Sequence, residues 1–355
     1  MPRAVLDMND RRPVWALPPW VPDRIRDALP PEWELEVVAD ATDGSGDGAG
    51  RVSPAVLDAV ADAEIYFGYG IAAELLQAGP SLRWVHSGAA GVGSSLTPEM
   101  RARPVLFTNS AGIHGPPMAE TVLGMILFFG RGLDFAVANR TRGVWSTAGW
   151  YDADAPIREL SATTVGLVGY GGIGREIARR VASLGARVLA LKRSPPLEAD
   201  ATLTPVAGGG DVGQRVEIVR GEGGLDAVLR ESDVVVLCAP ETDETRGMMD
   251  SAALARMKDG AVLINVGRGR LLDEDALVAE LAAGRLRGAG LDVFSREPLP
   301  ADHPLWTLDN VLLTPHVSAV TQSFWSRETG LIVENLERYF ADEPLRNLVD
   351  KDAGY

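Results

Sequence analysis

The chain has 355 residues, of which 46% are hydrophobic and 23% charged, values that predict about two globular domains with buried cores. Forty-nine acidic against 34 basic residues give a net charge of −15, which excludes nucleic acid as an expected partner. A single cysteine excludes an intrachain disulfide, and the sequence shows neither a signal peptide nor an apolar run of the roughly 18 residues that span a membrane. We therefore expect a cytoplasmic protein with no membrane partner.

The N-terminal third of the chain contains short apolar segments typical of strands. They are ELEVV (34–38), EIYFG (64–68), RWVHS (83–87) and VLFTN (105–109). Short strands of this kind predict a small α/β domain. Residues 116–132 then form an almost wholly apolar pattern with proline at its start and glycine at its end. This pattern predicts a helix that is buried against a domain or a partner subunit.

Residues 160–315 show a stronger rhythm of apolar segments separated by helical patterns. The predicted strands lie at 164–169, 187–191, 233–239, 261–266, 288–293 and 310–314. Helices are predicted over 172–184, where Gly185 would end the helix, and over 273–283, where acidic residues lie at the positive end of the helix dipole. Nearly continuous apolar strands that alternate with helices predict a doubly wound parallel sheet covered on both faces.

A glycine pattern between the first strand and the first helix of this region predicts a dinucleotide site. Gly169, Gly171 and Gly174 form G-x-G-x-x-G in the strand–turn–helix context that the dinucleotide fingerprint requires. Gly169 would allow a tight turn, Gly171 would let the backbone approach a pyrophosphate, and Gly174 would let helix and strand pack closely. The helix N-terminus would attract the phosphate charge. The alternative is a turn with a structural role alone.

The end of the second strand carries the sequence KRS, which bears on the choice between NAD and NADP. An acidic residue here would bind the ribose 2′-hydroxyl of NAD, but Lys192, Arg193 and Ser194 offer two cations and a hydroxyl. These groups suit the 2′-phosphate of NADP, so we expect NADP as the cofactor. A solvated basic loop is the structural alternative, and use of NAD stays open because a missing acid also relaxes selectivity.

Three chemically active side chains follow the last three strands of the predicted sheet. Arg268, Glu297 and His316 each come just after one of these strands. Ligands of open α/β sheets bind at the carboxyl ends of the strands, so the three residues should share one site. Each alone is more often a surface or structural residue, and their common placement beside a dinucleotide turn favours a catalytic role. The sequence shows no histidine–cysteine spacing typical of a metal site.

Together these motifs resemble the D-isomer-specific 2-hydroxyacid dehydrogenase family over nearly the whole chain. The matching segments are AAGVG (89–93), MAETVLGMILFFGR (118–131), GYGGIG (169–174), DVVVLCAPETDETRGMMD (233–250), NVGRG (265–269), LDVFSREPLP (291–300), LLTPHVSA (312–319) and NLERYFADEPLRNLVD (335–350). Their joint occurrence in this order is highly specific. The chain departs from the family at Gly93, where a polar residue is frequent, and at the non-acidic KRS. These departures leave the substrate and cofactor less defined than the reaction class.

The resemblance implies an α/β protein of two Rossmann-like domains. A smaller, flavodoxin-like domain of residues 1–115 and 317–355 would bind the substrate, and residues 116–316 would form the dinucleotide-binding, doubly wound parallel sheet. Catalysis would follow closure of the domains. The family also implies a homodimer formed through the dinucleotide-binding domain, with which the apolar helix after residue 116 is compatible.

The resemblance further implies roles for individual residues. Arg268 would clamp the carboxylate and carbonyl of a 2-oxo acid, His316 would protonate the carbonyl oxygen, and Glu297 would favour the imidazolium. Backbone amides around Ala90 and Gly91 would bind the substrate carboxylate. The implied cofactor contacts besides the three fingerprint glycines and KRS are Gly172, Ile173, Ala239, Pro240, Val266, Gly267 and Asp292.

The sequence therefore predicts an NAD(P)-dependent oxidoreductase that reduces small 2-oxo acids, glyoxylate or hydroxypyruvate foremost, to D-2-hydroxy acids with NADPH preferred. One alternative is an NAD-dependent 2-hydroxyacid dehydrogenase of the phosphoglycerate dehydrogenase type, although the small-domain loops show no basic cluster for a phosphorylated substrate. A more remote alternative is a dinucleotide-sensing, corepressor-like binding protein on the same scaffold, which could dispense with the three active side chains.

Overall fold

The residues described by the computed structural model are 1–41, 52–193 and 216–354. The chain divides into two compact units, one formed by Met1–His114 with Val320–Tyr355 and the other by Gly115–Ala319. The sequence-based boundaries differ from these by one residue and by three residues. The labels of substrate binding and dinucleotide binding for the two units stay predictions.

Twelve strands and eleven α-helices lie in the described residues. The strands are β1 (Arg3–Asp7), β2 (Glu34–Val37), β3 (Ile65–Gly68), β4 (Trp84–Ser87), β5 (Leu106–Asn109), β6 (Thr164–Val168), β7 (Arg187–Leu191), β8 (Glu217–Val219), β9 (Val234–Leu237), β10 (Val262–Asn265), β11 (Gly288–Leu291) and β12 (Val311–Leu313). The helices are α1 (Trp20–Ala28), α2 (Pro54–Val60), α3 (Ala73–Ala78), α4 (Pro98–Ala102), α5 (Gly115–Gly130), α6 (Leu133–Arg142), α7 (Gly172–Ser183), α8 (Gly221–Glu231), α9 (Ser251–Leu254), α10 (Glu274–Ala282) and α11 (Phe324–Phe340). Short 3₁₀ helices lie at Leu160–Ala162, Gly269–Leu271 and Pro304–Thr307.

The first unit is built on a parallel five-stranded sheet in the order β2-β1-β3-β4-β5. In β1, Val5 packs with the apolar cluster under α2, α3 and α4, whereas Ala4 and Leu6 pack with the cluster under α1 and α11. This alternation is the two-residue period of a strand whose two faces are both covered by helices. The smaller α/β domain that the sequence predicts is confirmed.

Sequence reasoning does not predict strand β1, although β1 lies in the interior of the sheet between β2 and β3. Its five residues, RAVLD, include only three apolar ones, so no local pattern distinguishes them from a loop. Burial identifies the strand, because Ala4, Val5 and Leu6 are fully buried. A strand in the middle of a sheet owes its conformation to its neighbours more than to its own composition.

The second unit is built on a parallel seven-stranded sheet in the order β12-β11-β10-β9-β6-β7-β8. Helices α5 and α7 cover one face and α8, α9 and α10 cover the other, each set over its own apolar cluster. This is the doubly wound parallel sheet that the sequence predicts, and each strand predicted for this region is present within the predicted bounds. The sequence misses β8, an edge strand of three residues.

Helix α5 packs on the sheet of the second unit, which confirms the burial that its apolar sequence predicts. Two glycines in strand β11 allow α5 to pack this closely on the sheet. A Cβ at Gly288 would lie 2.6 Å from the Phe129 ring, and a Cβ at Gly290 would lie 2.8 Å from the sulfur of Met125. In the described part of the chain no single helix has the length and hydropathy of a membrane span, and α5 with α6 passes that test only as a pair bent by 70°.

Candidate active site

The carboxyl edge of the seven-stranded sheet carries Arg268, Glu297 and His316. Strands β10, β11 and β12 are consecutive neighbours in this sheet and run parallel, so the segments that follow them leave the sheet at the same edge. Arg268 follows β10, Glu297 follows β11 and His316 follows β12. The structure thus brings the three predicted catalytic residues to neighbouring segments of one edge, where ligands of open α/β sheets bind.

Glu297 and His316 form a hydrogen-bonded pair. Oε2 of Glu297 lies 2.8 Å from Nδ1 of His316, and Oε1 accepts the backbone N–H of Phe294 at 2.9 Å. Because an ionised carboxylate can only accept, Nδ1 carries a proton in this pair and Nε2 is left for a ligand. The side chains of His316 and Glu297 are 43% and 36% exposed, so a small ligand can reach the imidazole. The pair is equipped to give and take a proton at Nε2.

A buried carboxylate holds the segment that carries His316. The backbone of His316 has φ 55°, a left-handed conformation that few residues other than glycine adopt. Its N–H donates at 2.8 Å to the carbonyl of Asp292, a residue with 0% exposure. Oδ1 of Asp292 accepts from the Thr314 hydroxyl at 2.6 Å and from the Val317 N–H at 2.9 Å. Asp292 therefore fixes the chain on both sides of His316, and its implied contact with the cofactor stays a prediction.

Asn265 closes the short loop that presents Arg268. Its Nδ2 donates to the Arg268 carbonyl at 3.0 Å, and its Oδ1 accepts the Gly267 N–H at 3.1 Å. The next residue, Gly269, lies against the segment after β11, because a Cβ there would be 1.8 Å from the carbonyl carbon of Phe294. Glycine is required at this close approach. Sequence reasoning missed Asn265, whose one signal is a polar side chain at the end of an apolar strand.

The glycine turn after β6 has the geometry of a phosphate site. Gly169 has φ 110°, and a Cβ on Gly174 would lie 2.4 Å from the Gly169 carbonyl oxygen, so α7 can begin this close to β6 only with glycine at both positions. A Cβ on Gly171 would meet nothing within 4 Å in the described residues, so packing does not explain that glycine. Gly172 and Ile173 are the first residues of α7, whose N-terminal amides attract an anion. These residues fit the pyrophosphate of a dinucleotide.

Cys238 supplies a buried hydrogen-bond donor beneath this turn. Its Sγ donates to the Gly169 carbonyl at 3.1 Å. Burial raises the pKa of Cys238 to about 12, so the thiol keeps its proton at neutral pH. Sequence reasoning used this cysteine to exclude a disulfide and missed the contact, which joins positions 69 residues apart.

Lys192 and Arg193 follow β7 at the same edge of the sheet. The guanidinium of Arg193 lies 3.1 Å from the carboxylate of Glu244, and both side chains are exposed. Arg220, which follows β8, donates to the Arg193 carbonyl at 3.2 Å, so a third cation accompanies the pair. Sequence reasoning missed Arg220 because it missed β8. Ser194 lies outside the described residues.

The implied cofactor contacts after β9 and β10 lie side by side. Val266 donates its N–H to the Leu237 carbonyl at 3.1 Å, which continues the pairing of the two strands. A Cβ on Gly267 would lie 2.9 Å from the Ala239 carbonyl oxygen, so the two segments touch. Pro240 follows directly. Their role as walls of the cofactor cleft stays a prediction.

The first unit presents Ala90 and Gly91 in a half-buried loop after β4. Nδ2 of Asn109 donates to the Ala90 carbonyl at 2.8 Å, and the N–H of Ser110 donates to the Ala89 carbonyl at 3.3 Å. In a trans peptide the N–H points opposite to the preceding carbonyl, so these bonds direct the N–H groups of residues 90 and 91 away from β5. Successive backbone N–H groups of this kind suit an anion such as a carboxylate.

Comparison with known proteins identifies relatives over the whole chain. The profile of the family "D-isomer specific 2-hydroxyacid dehydrogenase, NAD binding domain" matches residues 123–318. A glyoxylate reductase from Korarchaeum cryptofilum is 33% identical over 282 residues, which make up 79% of this chain and 80% of the relative.

Two solved structures share the fold over their full length. A D-isomer specific 2-hydroxyacid dehydrogenase from Xanthobacter autotrophicus Py2, in complex with NADPH and MES, has a TM-score of 0.77 and 28% identity over 100% of this chain and 99% of its own. An NADPH-dependent glyoxylate/hydroxypyruvate reductase from Sinorhizobium meliloti, in complex with NADP and sulfate, has a TM-score of 0.74 and 27% identity over 100% of both chains. The residues matched by the family profile include the glycine turn and all three residues at the sheet edge. The chain therefore belongs to the D-isomer specific 2-hydroxyacid dehydrogenase family of NAD(P)-dependent oxidoreductases.

Proposed function

We propose that this enzyme reduces small 2-oxo acids, glyoxylate and hydroxypyruvate foremost, to D-2-hydroxy acids, with NADPH as the preferred cofactor. The observation that carries the proposal is the Glu297–His316 pair, a proton donor held at the same sheet edge as Arg268. The dinucleotide, when bound at the turn of Gly169 and Gly171, supplies the hydride. We expect the reaction to take place in the cytoplasm, where the single cysteine stays reduced.

His316 provides the proton that the reduced carbonyl group needs. When the carbonyl is reduced, negative charge grows on its oxygen, and an imidazolium N–H is suited to neutralise it. Glu297 accepts from Nδ1 at 2.8 Å, which orients the ring and leaves Nε2 to deliver the proton. In the oxidative direction the same nitrogen takes the proton of the alcohol.

Two groups of donors suit a substrate carboxylate in this proposal, Arg268 in the second unit and the loop of Ala90 and Gly91 in the first. The planar guanidinium can hold a carboxylate and the adjacent carbonyl oxygen together, which orients the carbon that is reduced. The hydrogen bonds of Asn265 close the loop of Arg268, so the backbone that carries the guanidinium is held in place. The backbone amides of residues 90 and 91 can donate hydrogen bonds to a carboxylate, but they do not transfer their protons.

The preference for NADPH rests on Lys192, Arg193 and Arg220. A 2′-phosphate would compete with Glu244 for the guanidinium of Arg193 and would gain charge-assisted hydrogen bonds. In the double variant Lys192→Ala/Arg193→Ala, kcat/KM for NADPH should fall by about tenfold or more while that for NADH is unchanged. Glu244→Gln is the matched control and should keep the NADPH preference. If the wild-type enzyme has a higher kcat/KM for NADH than for NADPH, the proposed preference for NADPH is wrong.

A homodimer through α6 and the segment after it completes the proposal. Leu133 and Val137 of α6 are each 48% exposed and Trp145 is 99% exposed. The ion pair of Asp134 with Arg287, at 2.7 Å, attaches α6 to the start of β11. Such an exposed apolar surface suits an isologous contact with a second copy. Val137→Asp with Trp145→Ala should then sediment as a monomer, and a monomeric wild type would contradict the dimer.

A spectrophotometric screen tests the reaction. The enzyme is assayed for oxidation of NADPH and of NADH with a panel of 2-oxo acids that includes glyoxylate, hydroxypyruvate and pyruvate, and chiral analysis assigns the configuration of the products of hydroxypyruvate and pyruvate. We expect glyoxylate or hydroxypyruvate with NADPH to give the highest kcat/KM. Faster oxidation of 3-phosphoglycerate with NAD would favour the phosphoglycerate alternative, and NADPH binding without turnover of any acid would favour a binding protein.

A further inference from the structure

The loop of Ala89–Gly91 in the first unit, here called the carboxylate loop, is joined to a buried chain of polar side chains. His86, Thr108, Ser110 and Glu328 are each 0% exposed. They come from β4, from β5, from the residue that follows β5 and from α11. A group of four fully buried polar residues needs a complete set of hydrogen bonds to be tolerated.

The hydrogen bonds of this chain converge on one carboxylate. Oε2 of Glu328 accepts the Ser110 hydroxyl at 2.8 Å, and Oε1 lies 2.8 Å from Nε2 of His86. Nδ1 of His86 lies 2.9 Å from the Thr108 hydroxyl, which accepts the Trp84 indole N–H at 2.9 Å. With the imidazole proton on Nε2, Trp84 donates to Thr108 and Thr108 donates to His86. His86 and Ser110 then both donate to Glu328, the acceptor at which the chain ends.

Ser110 connects this chain to the carboxylate loop. Its backbone N–H donates to the Ala89 carbonyl at 3.3 Å, and the adjacent Asn109 donates to the Ala90 carbonyl at 2.8 Å. The orientation of these two carbonyls determines where the N–H groups of Ala90 and Gly91 point, because each peptide is planar. A displacement of Ser110 would therefore turn both donors of the loop.

Packing does not require an acid at position 328. Four of the seven buried residues of α11 are apolar, namely Phe324, Trp325, Ile332 and Leu336, and Thr329 and Asn335 are polar without being acidic. A buried carboxylate is costly to desolvate, and an apolar side chain of similar size in its place is often neutral or stabilising. The acid is explained by the two groups that it binds.

We propose that Glu328 is a positioning residue for the substrate carboxylate. It acts through Ser110, holding the main chain that aims the amides of the carboxylate loop, and it does not touch the substrate. His86 holds the carboxylate of Glu328 in place. The inference rests on the role given to the carboxylate loop under the proposed function.

The variant Glu328→Leu removes both acceptors at nearly constant volume. KM for glyoxylate should rise by about tenfold or more, with kcat at saturating glyoxylate and KM for NADPH within about twofold of wild type. Glu328→Gln should restore KM, because its oxygen can accept from His86 and its amide can donate to Ser110. The Ser110 hydroxyl can then donate to the Ser87 carbonyl, which lies 3.0 Å away.

Asn335→Leu is the matched control on the same helix. Asn335 is also 0% exposed, but it binds the backbone of Arg346, accepting its N–H at 2.7 Å and donating to its carbonyl at 3.1 Å. This variant should lower the unfolding temperature as Glu328→Leu does and should leave KM for glyoxylate unchanged. If Glu328→Leu also lowers only the unfolding temperature, Glu328 has a structural role and the proposal is overturned.

Hydrogen exchange of peptides that cover residues 88–94 measures the loop without reference to activity. Exchange should be faster in Glu328→Leu and unchanged in Asn335→Leu and Glu328→Gln. Unchanged exchange in Glu328→Leu overturns the positioning role. Faster exchange with an unchanged KM would mean that Glu328 does hold the carboxylate loop but that the loop does not bind the substrate carboxylate. Failure of the positioning role and failure of the proposed binding role are therefore distinguishable. Should Glu328→Leu not fold, Ser110→Ala removes the same link and is expected to show a smaller change of the same sign.

Discussion

The carboxyl edges of the two sheets offer different chemistry on similar parallel frames. At the seven-stranded sheet, the segments after β10, β11 and β12 present the charged side chains Arg268, Glu297 and His316. At the five-stranded sheet, the segment after β4 presents the main-chain amides of Ala90 and Gly91. A side chain such as imidazole can transfer a proton, whereas an amide can only bind charge. Two sheets of one class thus differ in function because of the loops that they carry.

Beneath each edge lies a fully buried carboxylate. Asp292 binds the segment of His316, and Glu328 binds the residue that holds the carboxylate loop. Asp292 and Ser318, one of its partners, are 26 residues apart in the sequence, whereas Glu328 and Ser110 are 218 residues apart. The comparison leads us to expect that changes at the edge of the second unit lower kcat and changes in the first unit raise KM.

The largest effect is expected for His316→Asn, which removes the proton donor and keeps a side chain that tolerates the left-handed backbone. In steady-state kinetics, kcat for glyoxylate should fall by about 100- to 10,000-fold. His303→Asn is the control, because His303 caps the 3₁₀ helix Pro304–Thr307, and it should keep the wild-type kcat. A His316→Asn enzyme with the wild-type kcat would show that the imidazole is not the proton donor, so the two sheet edges would not differ in the way described above.

Glu297→Gln should lower kcat by about 10- to 100-fold, because a neutral amide replaces the carboxylate that accepts from Nδ1 of His316. Steady-state kinetics with glyoxylate measures kcat of wild type and variant. An unchanged kcat would mean that the charge of Glu297 does not contribute to the reaction.

A smaller effect is expected for Arg268→Lys, because a point charge cannot hold a carboxylate and a carbonyl oxygen as the planar guanidinium does. We expect kcat/KM for glyoxylate to fall by about tenfold or more, with both constants affected. Arg270→Lys, at an exposed position two residues along, is the matched control and should leave both constants unchanged. A wild-type kcat/KM in Arg268→Lys would mean that the guanidinium does not bind the substrate.

The smallest effect is expected for Asn109→Ala, which removes the bond to the Ala90 carbonyl at the edge of the first unit. KM for glyoxylate should rise by about three- to tenfold while kcat stays within about twofold, since one hydrogen bond that orients an amide is lost. The same assay reports both constants. A fall in kcat instead would show that the first unit takes part in the chemical step, and the contrast between the two edges would not hold.

The sequence by itself determined the fold class, the glycine turn and the placement of three active residues at one sheet edge. Each of these is a local pattern: the period of apolar residues, a strand–turn–helix spacing, and a polar residue just after a strand. Local patterns also explain the misses. Strand β1 is charged at both ends and strand β8 has only three residues, so neither was recognised, and Arg220 was missed together with β8.

Only the tertiary structure decided which buried polar residues hold the two edges. Asn265, Cys238 and Glu328 look in the sequence like ordinary polar or small residues, and the resemblance implies only a cofactor contact for Asp292. Their partners become neighbours through strand order and through the return of α11 to the first sheet, as with Glu328 and Ser110, 218 residues apart. Contacts between residues so distant in the chain leave no periodic signal, because each side chain is selected by a partner that only the folded chain brings near.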